Sequence, residues 1–210
     1  TSWSCPTPLC QTKMDVVMLI DESGSLDGAT WAKQMQFATK LIDSYTVGPD
    51  DVNFGIVWFA TIARTVFPLS GDVNAIKNAL QVTVPRGGSA CHGPGLQQAI
   101  NMITTQGRVN VPKALIYIGD ALETCDWNVF DLKIQLIPTG VTRVAISPTT
   151  SYSSAWMKRI AGTPNNVLIG NINNLGSLVE STVFKSCAEV PPQSCGSNCF
   201  GICSCNKVCL

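Results

Sequence analysis

The sequence predicts an α/β domain: a doubly wound, mostly parallel, Rossmann-like sheet with helices on both faces, plus a small disulfide-stapled C-terminal extension. Three observations predict it. Short apolar runs alternate with stretches of helical periodicity through most of the chain, two of those runs end at a carboxylate, and 210 residues suffice for one domain with a full core.

The first run, Asp15 to Asp21, is continuously apolar between its two carboxylates and reads as a buried parallel strand. A helix follows from about Thr30, with Trp31, Met35, Ala38, Leu41, Ile42 and Tyr45 at helical spacing and Lys33, Gln36 and Lys40 on the other face. Asn53 to Ala60 is the second strand. Arg64 to Pro68 is a third, and the brief Thr61-Ile62 connection makes it an antiparallel edge. Helical patterns come next at Val73 to Val82 and Gly93 to Thr104. Ala114 to Ile118 is another buried strand and leads to Asp120. Phe130 to Ile137 reads as helix, Val141 to Ser147 as strand, Ser153 to Ala161 as helix, Val167 to Ile169 as strand and Gly176 to Cys187 as a closing helix. In such a sheet ligands bind outside the carboxyl ends of the strands, which is where Asp21 and Asp120 fall.

Fourteen basic and fourteen acidic side chains give zero formal charge, and the basic ones are scattered, so no nucleic-acid partner is expected. No apolar run approaches the ~20 residues of a membrane-spanning helix, so no membrane insertion is expected. Thr1 begins without a signal-peptide pattern, which is the expectation for a chain whose signal has been removed. Ten cysteines, an even number, point to an oxidising compartment and hence to a secreted or cell-surface protein; no N-glycosylation sequon is present. Cysteine positions and Pro191-Pro192 divide the chain into a tethered N-terminal segment (1–12), the α/β domain (13–187) and a cysteine-rich tail (188–210).

Asp21, Ser23 and Ser25 follow the first strand as Asp-Glu-Ser-Gly-Ser, one carboxylate and two hydroxyls on a single turn. Hard oxygen donors of this kind suit Mg²⁺, Mn²⁺ or Ca²⁺. The Asp-x-Ser-x-Ser motif after an apolar strand, with the order of strands and helices from Lys13 to Cys187, resembles the von Willebrand factor type A domain and its metal-ion-dependent adhesion site. The resemblance implies that Asp120 completes the metal shell and that Mg²⁺ is the usual cation. It also implies a threonine ligand where this chain has Ala90, in Gly87-Gly88-Ser89-Ala90-Cys91-His92-Gly93. Three readings of that deficit follow: a weakened or water-completed Mg²⁺ site, an empty degenerate site, or a site in which Ser89 or His92 substitutes. A nitrogen from His92 would favour a transition metal.

Asp21, Glu22, Asp27, Asp120, Glu123 and Asp126 are six of the fourteen carboxylates, and no Lys or Arg lies between Lys13 and Lys33 or between Lys113 and Lys133. Like charges so gathered favour a cation among them, the alternative being a solvated acidic rim. Glu123, Asp126 and Trp127, in the loop after Asp120, are the partner-contacting candidates; Trp127 is either an exposed anchor or a cover for a disulfide. Cys91 and Cys125 fall in loops at this same end and are expected to pair, two buried free thiols being the alternative. The other eight cysteines allow 105 pairings, among which bridges from the N-terminal segment to the tail suit the ends of the domain. A zinc cluster in the tail has no Cys-x-x-Cys pair to support it.

No Gly-x-Ser-x-Gly elbow and no phosphate-binding glycine loop occur, and the single histidine adjoins a cysteine expected to be bridged, so catalysis is not expected. The sequence thus points to an extracellular adhesion module that takes a protein or glycan ligand at the metal end. The alternative is a structural subunit of an extracellular filament, coat or matrix, whose low charge opposes self-association little.

Overall fold

The computed structural model describes residues 10–24 and 28–187, so Ser25 and Asp27, the segment before Cys10 and the cysteine-rich tail lie outside the described residues. Six strands form one sheet in the order β3-β2-β1-β4-β5-β6, all parallel except the edge strand β3. Its strands are β1 (Met14–Asp21), β2 (Val52–Phe59), β3 (Ala63–Ser70), β4 (Lys113–Ile118), β5 (Val141–Ser147) and β6 (Val167–Ile169). Strand order reverses between β1 and β4, which are paired in register from Asp15 with Lys113 to Ile20 with Ile118. The crevice at their carboxyl ends is the topological switch point.

Every residue of β1 is buried because strands flank it on both sides and helices cover both faces. Alternation divides its side chains between two cores. Val16, Met18 and Ile20 join the side covered by α1 (Gly28–Asp43) and α6 (Val179–Ser186). Val17 and Leu19 join the side covered by α3 (His92–Gln106), α4 (Trp127–Gln135) and α5 (Ser154–Ala161). The remaining helix, α2 (Val73–Val82), is capped by Asp72, whose side chain accepts from Asn74 and Ala75 N–H groups. Close approach of α3 to the sheet depends on Gly95, where a Cβ would lie 2.7 Å from the Phe59 ring.

Each predicted element is present, and two boundaries shift by three residues. A single closing helix from Gly176 does not form: a 3₁₀ segment over Ile172–Leu178 precedes α6, and Asn174 leaves helical geometry inside it. Asn171, Asn173, Asn174 and Gly176 explain the break, since Asn side chains compete for backbone bonds and Gly disfavours helix. The fourth helix starts at Trp127 instead of Phe130 because Asp126 caps it.

Cys10, ahead of β1, forms a disulfide with Cys187, just after α6, with Cα atoms 5.8 Å apart. Both sulfur-bearing residues belong to the core on the α1 and α6 side. The two ends of the described domain therefore meet at the end of the sheet opposite the β1/β4 crevice. Arg108 closes that far end: it donates to Asp15, to the carbonyls of Met14, Pro49 and Asp51, and so satisfies a carboxylate that is otherwise fully buried. No helix among the described residues is long and apolar enough to cross a membrane.

Candidate metal centre

Asp21 is the last residue of β1 and Asp120 lies two residues past β4, so parallel pairing of those strands brings the two carboxylates to one crevice. Ser23 is buried beside them, and its N–H donates to Asp21 Oδ1 at 2.7 Å. Burial pushes the Asp21 carboxyl above its usual value; hydrogen bonds from the Ser23 N–H and hydroxyl oppose this, and the charge of Asp120 adds to it. Asp120 accepts from the Leu122 N–H at 2.9 Å and is partly exposed. Two carboxylates and a hydroxyl facing one crevice, one of the carboxylates desolvated, form a donor set suited to a hard divalent cation.

The other predicted carboxylates have protein partners. Glu22 is bound bidentately by Arg64, Nε to Oε1 at 2.9 Å and Nη2 to Oε2 at 2.5 Å, with the Arg86 N–H adding a third bond at 3.0 Å. Arg64 comes from β3, so counting cations along the sequence near Glu22 missed it. Glu123 is not a surface contact residue. Its side chain is 1% exposed, with Oε2 accepting from the His92 N–H at 2.8 Å and Oε1 from the Cys125 N–H at 2.7 Å. Burial pushes the Glu123 carboxyl up, but the hydrogen bonds from His92 and Cys125 outweigh it and hold the carboxyl below its usual value. Asp126 is exposed yet serves as the cap of α4, accepting from Asn128 and Val129 N–H groups at 2.9 and 3.2 Å. The expected gathering of six charges around a cation thus reduces, among the described residues, to Asp21 and Asp120. Replacing Asp126 by Ala is expected to cost about 1 kcal/mol and roughly 2–4 °C of melting temperature, measurable by calorimetry, through loss of the cap.

His92 does not offer a free nitrogen. Its ligand atoms lie within 4.8 Å of those of Asp21 and Asp120, but the ring is fully buried and both nitrogens have neighbours. Nε2 is 2.8 Å from the Tyr117 hydroxyl, while Nδ1 is 3.2 Å from the Ala90 carbonyl and 3.3 Å from Glu123 Oε2. Tyr117 Oη already accepts from the Ala121 N–H at 2.9 Å, so its proton is directed to Nε2 and the Nδ1–H to Ala90 and Glu123. Burial, with the charges of Asp21 and Asp120, keeps the Tyr117 phenol protonated. His92 and Tyr117 brace the floor of the crevice. Only Gly fits at 119, since a Cβ there would lie 2.5 Å from the Tyr117 hydroxyl.

The loop carrying Ala90 and the loop carrying Asp120 are joined at three successive residues. Glu123 accepts from the His92 N–H; Ala90 N–H donates to Thr124 Oγ1 at 2.8 Å, and Thr124 N–H returns a bond to the Ala90 carbonyl at 3.2 Å; and Cys91 forms a disulfide with Cys125, Cα atoms 5.2 Å apart. Ala90 is buried in this joint. Ser89 is exposed beside it, its N–H held by Thr61 Oγ1 at 3.0 Å. The first loop is tied in as well, through Gly24 N–H to the Gly88 carbonyl at 2.9 Å and Gly87 N–H to the Glu22 carbonyl at 3.2 Å. Trp127 is 40% exposed at the head of α4, stacked on Trp156 with centroids 5.0 Å apart. Ser25 lies outside the described residues. Sequence reasoning did not find Thr124, Tyr117 or Arg64; of the three, only Tyr117 carried a signal, as the polar-tipped residue in the apolar run from Ala114 to Ile118.

The von Willebrand factor type A domain profile matches residues 15–181. Human collagen alpha-6(VI) chain is 28% identical over 197 residues, 91% of this chain and 8% of the collagen chain. Human matrilin-3 is 26% identical over 121 residues, covering 53% of this chain and 25% of matrilin-3. Among solved structures, proximal thread matrix protein 1 from the mussel byssus superposes with a TM-score of 0.78 at 26% identity, covering 85% of this chain and 49% of that one. The same byssus protein has been solved with a zinc-occupied metal-ion-dependent adhesion site (TM-score 0.77, 26% identity). This chain spans less than half the length of each of these relatives.

Proposed function

This chain belongs to the von Willebrand factor type A family, and on that premise we propose that it is an extracellular adhesion and protein-interaction module, secreted or at a cell surface, holding a partner through a divalent cation. Asp21, Ser23 and Asp120 would hold the ion, with Ser25 as a further ligand and water where Ala90 replaces a hydroxyl donor. The observation that carries this reading is the desolvated Asp21 carboxylate next to Asp120, with Glu22, Glu123 and Asp126 already satisfied elsewhere. Oxygen donors alone favour Mg²⁺, with Mn²⁺ or Ca²⁺ as alternates, and the commitment of both His92 nitrogens removes the feature that would favour a transition metal. When bound, the cation supplies a Lewis-acidic position for a carboxylate or glycan oxygen of the partner. Trp127 and Leu122, 40% exposed each in the segment after Asp120, would serve as apolar contacts for the partner.

Calorimetric titration of chelator-stripped protein with MgCl₂, MnCl₂ and CaCl₂ tests the ion, and surface binding to immobilised extracellular-matrix proteins and glycans tests the partner. Saturable heat with Mg²⁺, and capture lost both in EDTA and in Asp21→Ala, are expected. Capture that survives both would remove the cation from the function. A second reading, a structural subunit of an extracellular matrix or filament, is favoured by the likeness to a byssal thread matrix protein and by zero net charge. Concentration-dependent light scattering, with and without chelator, separates the two readings: growth of the particle with concentration supports the subunit, a constant monomer the adhesion module.

A further inference from the structure

At the end of the domain opposite Asp21 and Asp120, a groove of about 540 Å³ runs between the C-terminal ends of α4 and α5 and the start of β5. Ile134, Ile137 and Pro164 supply aliphatic lining; Arg143, Lys158 and Arg159 supply three cations, and no carboxylate lines it. The groove is shallow and open to solvent, a shape that admits an extended chain lying along the surface rather than an enclosed small molecule. Arg159 is engaged, pairing with Asp131 and lying over the Trp156 ring at 4.8 Å. Arg143 and Lys158 form no side-chain hydrogen bond or ion pair with the described residues.

Lys158 and Arg159 sit in the last turn of α5, where cations favour the helix end. That account does not reach Arg143, which comes from a strand. Its guanidinium lies against Gly162, where a Cβ would fall 2.2 Å from the terminal nitrogen. Gly162, in left-handed geometry at the α5 C-terminus, thus leaves the space that the guanidinium occupies. Partial burial lowers the Arg143 pKa, the cost of holding a guanidinium away from water without a counter-ion. A fixed, planar, uncompensated guanidinium beside aliphatic side chains fits a carboxylate carried next to an apolar group.

We propose that this groove is a second ligand site, independent of any metal ion, that takes an extended peptide segment carrying Glu or Asp beside a Leu-like side chain. The aliphatic walls favour such a peptide over a sulfated polysaccharide, which has nothing apolar to place against Ile134, Ile137 and Pro164. With the cation site at the other end, one domain would join two partners.

Fluorescence anisotropy of a labelled octapeptide alternating Glu and Leu, measured in EDTA against the full chain, tests the proposal. Saturable binding is expected, unchanged in Asp21→Asn and weakened by roughly tenfold or more in Arg143→Gln or when the peptide's Glu residues become Gln, as loss of a charge-assisted bond implies. Lys158→Gln, at an exposed position, is expected to weaken it by a smaller factor and to flatten its salt dependence. Equal affinity of the Gln peptide, equal affinity of Arg143→Gln with its melting temperature unchanged, or no binding at millimolar peptide would overturn the site. Binding of dextran sulfate in place of the peptide would overturn the assigned ligand.

Discussion

Replacing Asp21 by Asn is expected to raise the melting temperature of the metal-free protein at pH values above the raised Asp21 pKa, while abolishing the rise expected from Mg²⁺ in the native chain. The two effects have one cause. Burial disfavours the ionised carboxyl and raises its pKa in the fold above the unfolded value, so Asp21 contributes stability only while protonated. That contribution is full below the unfolded pKa and is lost as pH rises through the folded one. Above that folded pKa the metal-free domain therefore carries a buried charge that opposes folding. Asn removes the charge and keeps an oxygen for the Ser23 N–H. A bound cation offsets the same charge instead, and at a hundred times its Kd adds about 2.7 kcal/mol, roughly 5–10 °C for a chain of this size. Because a proton and the cation compete for Asp21, Mg²⁺ affinity is expected to fall as pH drops through the raised pKa. Differential scanning calorimetry of both proteins, with EDTA and with Mg²⁺, reads all of this. A metal-induced shift that persists in Asp21→Asn would place the ion elsewhere.

The double variant Cys10→Ser/Cys187→Ser is expected to lose about 5 kcal/mol of stability and roughly 10–20 °C of melting temperature. The bridge closes a loop with a sequence separation of 177 residues, and the chain-entropy cost of closing a loop rises with the logarithm of its length. Ser can occupy the same sites at small steric cost, but each hydroxyl then sits in an apolar core, which adds to the loss. Urea unfolding of oxidised wild type and the variant measures the difference; the midpoint should fall and the slope should rise, because without the bridge the unfolded chain is less compact and exposes more surface. A loss below about 1 kcal/mol would show that the packing of Cys10 between Ser44 and Thr46 holds the terminus without the bridge.

The sheet was legible in the sequence because continuous apolar runs and helical periodicity are local signals. Asp21 and Asp120 were legible for the same reason, each being the polar end of an apolar strand. Pairing across the sheet was not. Charges adjacent in sequence say nothing of cations on other strands, and Arg64 reaches Glu22 from a strand 42 residues on. Glu123 and Asp126 misled differently: a carboxylate with two backbone N–H groups in reach is a structural acceptor, and composition does not distinguish it from an exposed one. The fate of His92 depended on Tyr117 and Glu123, residues 25 and 31 positions away, and so could be decided only by the fold. Thr124 is the residue most hidden, since its hydroxyl supports the backbone of Ala90, where a threonine was looked for and not found.

The Cys10–Cys187 bridge also determines how the chain responds to being pulled. Tension applied to the segments before Cys10 and after Cys187 crosses the domain through one covalent link between Cα atoms 5.8 Å apart. The residues between are out of the line of force, and roughly 600 Å of extended chain is withheld from stretching while the bridge is intact. A tether built on such domains stays short and stiff under load, and the cation crevice at the far end of the sheet keeps its shape. Reducing that single bond would convert the domain from a rigid link into extensible slack.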